Sequence, residues 1–391
     1  MIKQCNRLDK AHFLLKVVQG IFGLWLVLVT LTPATYGLAE DDQTGVVQQQ
    51  LRIYLEKLDQ QHQFYGVVLL ACNGRPIFEG AYGQASIAYD RKNTLDTRFN
   101  LASVGKMFTG VAVAQLVEQG LLSYDDVIGK YLPDYPNQQA ANQVTISELL
   151  THTSGLQDFL NQQFIDAAKN EFVKVQDYFP LFASKPLLSS PGEQFNYNNA
   201  EYMVLGAIIE KVSNQSYFDY VKEHIFEPAG MEHTGFYELD LELPNRATSI
   251  TKATKLTTAP PTSGPPRNAI GLILYKGMPA GGSFSTAGDL LAFTNALLQH
   301  ELLSAADTNL VIAGKVATGP PFPAGEKYGY GFEDYTYSGT RIVGHGGGAP
   351  GAVTRVDMFL DKGYTAVVLG NRDDDAASNV IQKVRDLITA K

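Results

Sequence analysis

Ser103 and Lys106 stand three residues apart in the stretch from Asn100 to Gly110. An apolar strand end at 97–101 is predicted to run into a helix over 103–119. Gly120 is a natural stop, since glycine adopts the left-handed conformation that ends helices. Residues i and i+3 share one helix face, with Cβ atoms about 5–6 Å apart. A hydroxyl and an amine are thus expected together at a helix mouth, where backbone N–H groups favour negative charge. That pairing suits nucleophilic catalysis: the amine takes the hydroxyl proton and the helix end stabilises the oxyanion. The pattern is short, however. Serine is also a good helix N-cap, and the chain holds a second copy, Ser249-Ile-Thr-Lys252.

Two more stretches offer partners. Pro191 to Asn199 reads P-G-E-Q-F-N-Y-N-N. Tyr197 and Asn199 are two apart in extended chain, so their side chains point to the same side. A phenol and a carboxamide would face one cavity, although Asn198 or Asn199 could equally cap the helix that follows. Tyr135-Pro-Asn137 repeats the triplet elsewhere. The other stretch is Arg341-Ile-Val-Gly-His-Gly-Gly-Gly348. Here a strand carries His345 and then loses its side chains, which lets a ligand or another backbone approach closely. Gly346-x-Gly348-x-x-Gly351 fits a dinucleotide fingerprint, but that motif must open a helix and here a strand follows. His345 has no second metal ligand at a standard spacing, and H-E-x-x-H is absent from the chain. Neither a metal nor an organic cofactor is expected.

The chain has 391 residues, 45% hydrophobic and 18% charged, with a net charge of −9. These values suit one large globular domain or two moderate ones, and exclude a basic nucleic-acid surface. Residues 1–16 carry four basic side chains and 17–31 are mostly apolar. Gly37 and Ala39 stand at the −3 and −1 positions of a small-residue site. Residues 1–39 therefore read as a secretory signal, giving a periplasmic or extracellular protein without a stable membrane span; an uncleaved N-terminal anchor is the alternative. Cys5 lies in the signal, so Cys72 is expected to be alone in the mature chain, with a structural role.

Helical spacing marks 46–61. Strands are predicted at 65–71 and 76–82, joined across Asn73-Gly74, the strongest short hairpin signal. Residues 121–128 read as a short helical piece. Thr145-Ile-Ser-Glu148 is a capping box, and 156–236 has a helical pattern that is clearest at 200–212. The Pro-rich stretch 256–268 and the Pro/Gly stretch 317–325 are loops. Thr286 opens a helix to about 298. Strands follow at 328–334, 341–345, 353–359 and 364–370, and 376–390 closes as a helix. The expected architecture is α+β: an antiparallel sheet built from both termini and flanked by helices, with a mostly helical insert at roughly 121–275.

Taken in order, Ser103-x-x-Lys106, Tyr197-x-Asn199 and His345-Gly-Gly347 resemble the three motifs of the class C β-lactamase and penicillin-recognising serine hydrolase family. Flanking text agrees: L-L-T-H-T-S-G-L at 149–156, E-P-A-G-M-E-H-T-G-F at 227–236 and A-G-G-S-F-S-T-A-G-D-L at 280–290. The resemblance covers residues 46–391 and implies the β-lactamase-like, DD-peptidase fold. His233-Thr-Gly235 also fits the third motif, but no apolar strand leads into it, so His345 is preferred.

The resemblance implies roles. Ser103 is the nucleophile, and Lys106 and Tyr197 share the general-base work, with Lys106 expected to favour the phenolate. The N–H groups of Ser103 and Gly348 form an oxyanion hole, and Asn199, His345 and Gly347 bind substrate. Lactamases of this family usually carry lysine where His345 stands. Histidine there resembles members that act as esterases or on D-amino-acid peptides and amides. The expected activity is therefore an exported serine hydrolase forming an acyl-enzyme on a small ester, amide or peptide. A β-lactamase or DD-carboxypeptidase in the strict sense and an idle binding homologue are the alternatives. The chain contains no G-x-S-x-G, which disfavours an α/β-hydrolase.

Overall fold

The computed structural model describes residues 36–254, 264–320 and 322–390. The expected signal segment lies largely outside them. Among the described residues, no helix is long and apolar enough to cross a membrane.

The Asn73-Gly74 turn shows how local chemistry starts the fold. Both residues have positive φ, +46° and +74°, as a two-residue hairpin turn of the strand-matching type needs. It joins β1 (Gly66–Cys72) to β2 (Arg75–Tyr82). Six more strands complete the sheet: β3 (Val316–Ala317), β4 (Lys327–Tyr328), β5 (Glu333–Tyr337), β6 (Thr340–Ala349), β7 (Ala352–Phe359) and β8 (Tyr364–Gly370). The spatial order is β2-β1-β8-β7-β6-β5-β4-β3, and every pairing is antiparallel. N-terminal and C-terminal strands therefore share one sheet, as expected from sequence.

All seven residues of β1 are buried because both sheet faces are covered, and alternate side chains enter different cores. Val68 and Leu70 pack with Leu51 and Leu55 of α1 (Tyr36–Gln60) and with Val380 and Val384 of α6 (Asp375–Thr389). Val67 and Leu69 enter the larger core on the opposite face. That core surrounds α2 (Lys106–Glu118), which is buried continuously from Lys106 to Leu116. A helix apolar on all sides is one packed on all sides. Replacing Leu69 by Ala there would cost about 2–5 kcal/mol. Against α2 lie α4 (Asn199–Ser213) and α5 (Ala287–Leu298). The capping box expected at Thr145 opens α3 (Ile146–Leu150), with Glu148 returning the bond to the Thr145 N–H.

Several expectations change. The α-helix begins at Lys106; Ser103 lies in a 3-10 turn, Ala102–Gly105, that leads into it. Residues 121–127 form turns, and the next helix is one short turn, Ile128–Tyr131. Much of 156–198 is irregular although its apolar spacing looked helical. Its aromatic side chains pack into the core from turns, so the spacing records burial and not a helix. The strand expected at 328–334 is broken at Gly329–Phe332, between β4 and β5. Cys72 is disulfide-bonded, not alone.

Candidate active site

The Ser103 turn is held by backbone on two sides. Leu101 N–H donates to Ser283 O at 2.8 Å, and Gly282 N–H donates to Ala102 O at 3.0 Å. Ala102, just before the serine, has φ +45°, which costs a non-glycine residue roughly 1–2 kcal/mol. The Ala280 to Ser283 segment fixes this strained turn at close range. A Cβ on Gly281 would stand 2.2 Å from Ala102 O and 3.1 Å from Ser103 Cα. Ser103 makes no side-chain capping bond, so its hydroxyl is not engaged as a helix cap.

Lys106 is fully buried, with three neighbours around its Nζ. Asn199 Oδ1 and Ala280 O each lie at 2.8 Å, and Ser103 Oγ at 3.3 Å. Burial pushes its pKa down to about 7, against the opposing pull of Asp158. The two carbonyl oxygens can only accept. A neutral amine has two N–H groups for them and one lone pair left, and the third neighbour is the Ser103 hydroxyl. Asn199 is fixed in turn, as its Nδ2 donates to Asp158 Oδ2 at 3.0 Å and its own N–H to the same oxygen at 3.2 Å.

Burial raises the Tyr197 phenol above the usual range, with the Ser103 hydroxyl opposing the shift. Lys106 Nζ lies 4.7 Å from the Tyr197 ring centroid, over the ring. The expected phenolate therefore does not form in this arrangement. The ionisation that burial brings within reach of neutrality belongs to Lys106. Asn198, not Asn199, caps α4 by accepting from Ala200 N–H.

His345 sits on β6 but is 1% exposed and does not line the cavity. Its Nδ1 donates to Gly346 O at 2.5 Å, and its Nε2 accepts from the Tyr328 hydroxyl at 2.7 Å. Burial lowers its pKa to about 4, so the imidazole is neutral. Behind it, Arg355 pairs with Glu333 and Asp357, and Arg385 pairs with Asp357. Gly347 also lies off the cavity. A Cβ there would meet Leu101 O and Thr354 Oγ1, each at 2.3 Å, so its absence lets β6 press against the Ser103 turn. Gly348 is different: it lines the cavity, and a Cβ there would meet nothing within 4 Å.

The cavity has a volume of about 510 Å³, and Ser103, Tyr197, Asn199 and Gly348 open into it. Phe159, Phe164, Ile165, Leu272, Leu274 and Val353 make its lining largely apolar. Asp373 contributes a carboxylate, and no Lys or Arg lines it among the described residues. The competing motifs lie apart. Ser249 to Lys252 is extended around a short strand, Ile250–Thr251, so its Ser and Lys share no helix face. Asn137 caps a short helix. The His233 N–H and the Thr234 hydroxyl both bond Asp289. Sequence reasoning missed Asp158, His152 and Glu201. The last two meet at 2.5 Å, fully buried beside Tyr197. The H-T-S-G text at 152–155 was the available signal.

Comparison with known proteins identifies the family and the fold. A family model described as Beta-lactamase matches residues 51–391. Penicillin-binding protein 4* of Bacillus subtilis is 31% identical over 334 residues, covering 83% of this chain and 72% of that protein. Protein flp of Staphylococcus aureus is 32% identical, but over 49% of this chain and 39% of its own length. Among solved structures, a penicillin-binding protein from Bacillus halodurans superposes with a TM-score of 0.77 at 28% identity, covering 85% of this chain and 98% of that one. The D-stereospecific amidohydrolase from Streptomyces sp. shares the fold at 23% identity, with a TM-score of 0.71 and coverage of 89% and 98%. The chain belongs to the β-lactamase family of serine hydrolases.

Proposed function

We propose that this chain is an exported hydrolase that forms an acyl-enzyme at Ser103, acting on an ester or amide whose acyl part is apolar. The observation that carries the reading is the disposition of Lys106. Two of its positions are committed to carbonyl oxygens, so the lone pair of the neutral amine is left for the Ser103 hydroxyl. Lys106 takes that proton as Ser103 Oγ attacks the carbonyl carbon. The N–H groups of Ser103 and Gly348 receive the oxyanion, and one such donor is worth about 10²–10³ in rate. Collapse breaks the bond to the alcohol or amine, which leaves with the proton from Lys106, relayed through the neutral Tyr197 phenol. Water then repeats the sequence on the acyl-enzyme and restores Ser103. Asn199 serves here first by orienting Lys106.

Apolar lining without a cation among the described residues favours a neutral ester or amide over a substrate carrying a free carboxylate. The esterase or D-amino-acid amide branch is therefore preferred to efficient β-lactam turnover. The sequence of residues 1–39 supports export. The likeness to Penicillin-binding protein 4* keeps penicillin binding as the second reading.

The test is intact-protein mass after brief exposure to a fluorophosphonate and, separately, to a penicillin, with Ser103→Ala alongside. An adduct with fluorophosphonate alone, lost in the variant, is expected. A stable penicillin adduct lost in the variant would favour the peptidase reading. No adduct from either, on folded protein, would overturn acyl-enzyme chemistry and favour an idle homologue.

A further inference from the structure

His152 and Glu201 are buried behind the cavity and take no part in the steps above. His152 grips the chain on both sides of Tyr197. Its carbonyl accepts the Asn196 N–H at 2.8 Å, and its ring Nδ1 accepts the Asn198 N–H at 3.2 Å. The ring itself lies against that of Tyr197, with centroids 4.3 Å apart. Glu201, in the first turn of α4, brings Oε2 to within 2.5 Å of the same Nδ1. Its Oε1 accepts the Ser154 N–H at 3.2 Å and the Ser154 hydroxyl. One carboxyl thus ties the turn that carries His152 to the helix that Tyr197 leads into.

The proton positions follow from this geometry. A nitrogen that accepts a backbone N–H carries a lone pair. Nδ1 is then unprotonated and its one lone pair is shared: the short contact to Glu201 is a bond donated by a protonated carboxyl, and the Asn198 N–H is the longer branch. The ring proton sits on Nε2, which has no partner among the described residues. An imidazolium would leave a charged N–H buried there without an acceptor, a costlier arrangement than a neutral one. Burial also lowers His152 and raises Glu201, with Lys106 and His345 adding to the first effect and Ser154 opposing the second.

We propose that His152 and Glu201 form a neutral hydrogen-bonded pair, protonated on Glu201, that holds the Tyr197 phenol at Ser103. Both are positioning residues, and the proposal rests on the reading of Ser103 as nucleophile.

Glu201→Gln tests the proton directly. It places an N–H donor where the carboxyl O–H stands and keeps an acceptor for Ser154. The fluorophosphonate labelling rate is expected to stay within about threefold of the parent. His152→Leu removes the acceptor, and the labelling rate constant falls about 10²-fold, the scale of a displaced reacting group. His152→Asn keeps an oxygen near Nδ1 and suits the φ of +59° at this position. It recovers part of the rate and serves where the leucine variant does not fold. In ¹⁵N-histidine spectra of the parent, His152 shows an unprotonated Nδ1 and a protonated Nε2. Protonation at both nitrogens, or a Glu201→Gln loss as large as that of His152→Leu, overturns the pair. Parent protein that resists fluorophosphonate altogether fails the nucleophile reading instead, while the nitrogen signals still decide the pair.

Discussion

Lys106 and His345 are both buried bases within electrostatic reach of each other, yet their surroundings differ in kind. Lys106 meets two carbonyl oxygens and a hydroxyl and no carboxylate at hydrogen-bond distance, so burial dominates and its pKa falls to about 7. The ground behind His345 is a chain of paired charges. Arg355 holds Glu333 and Asp357 below the usual carboxylate range although burial opposes it, and those carboxylates hold Arg355 charged. A desolvated base without a counterion exchanges protons near neutrality; paired charges stay fixed and serve as a wall. His345, expected to touch substrate, belongs to the wall.

The comparison can be broken most directly at the lysine. Lys106→Gln is expected to lower kcat/KM on an ester substrate by about 10²–10⁴-fold, with the fold retained by circular dichroism. A loss under tenfold would remove Lys106 from the chemistry. The rear layer responds differently. Arg355→Met leaves Glu333 buried and unpaired and Asp357 with Arg385 alone, so urea unfolding should report a loss of about 3–5 kcal/mol while kcat per folded molecule changes little.

The pH dependence sharpens the contrast. The base must be neutral, so log kcat/KM should rise by about one per pH unit below about 7 and level off above it. Because the folded pKa of Lys106 lies below its unfolded value, its stability penalty is full below about 7 and relaxes as pH rises toward the unfolded value. A profile already flat at pH 5 would contradict the assignment. The smallest effect is expected at His345→Gln. The bond to Tyr328 is weakened at a cost of about 1 kcal/mol, and kcat/KM should change less than tenfold, because the side chain is outside the cavity. A loss comparable to that of Lys106→Gln would return His345 to the site.

Much was legible because it is local or periodic. The Asn73-Gly74 turn, the Thr145 capping box and the alternating strands of the C-terminal sheet all follow from short-range preferences. Ser103, Lys106, Tyr197 and Asn199 were recognisable as types at a spacing, and the fold brings them together. Residues 156–198 were misread because aromatic side chains packed from turns imitate helical periodicity. His152, Asp158 and Glu201 were missed because nothing in a one-dimensional pattern says that they converge behind Tyr197.

The sequence by itself determined which side chains could do chemistry and where most of the strands lie, since these depend on residue type and on patterns a few residues long. The tertiary structure decided what each group can do. Only packing sets how far Lys106 is desolvated, that Tyr197 stays a phenol and that His345 faces inward. Burial and the direction of each hydrogen bond depend on neighbours distant in the chain, as with the Ala280 carbonyl, 174 residues from Lys106.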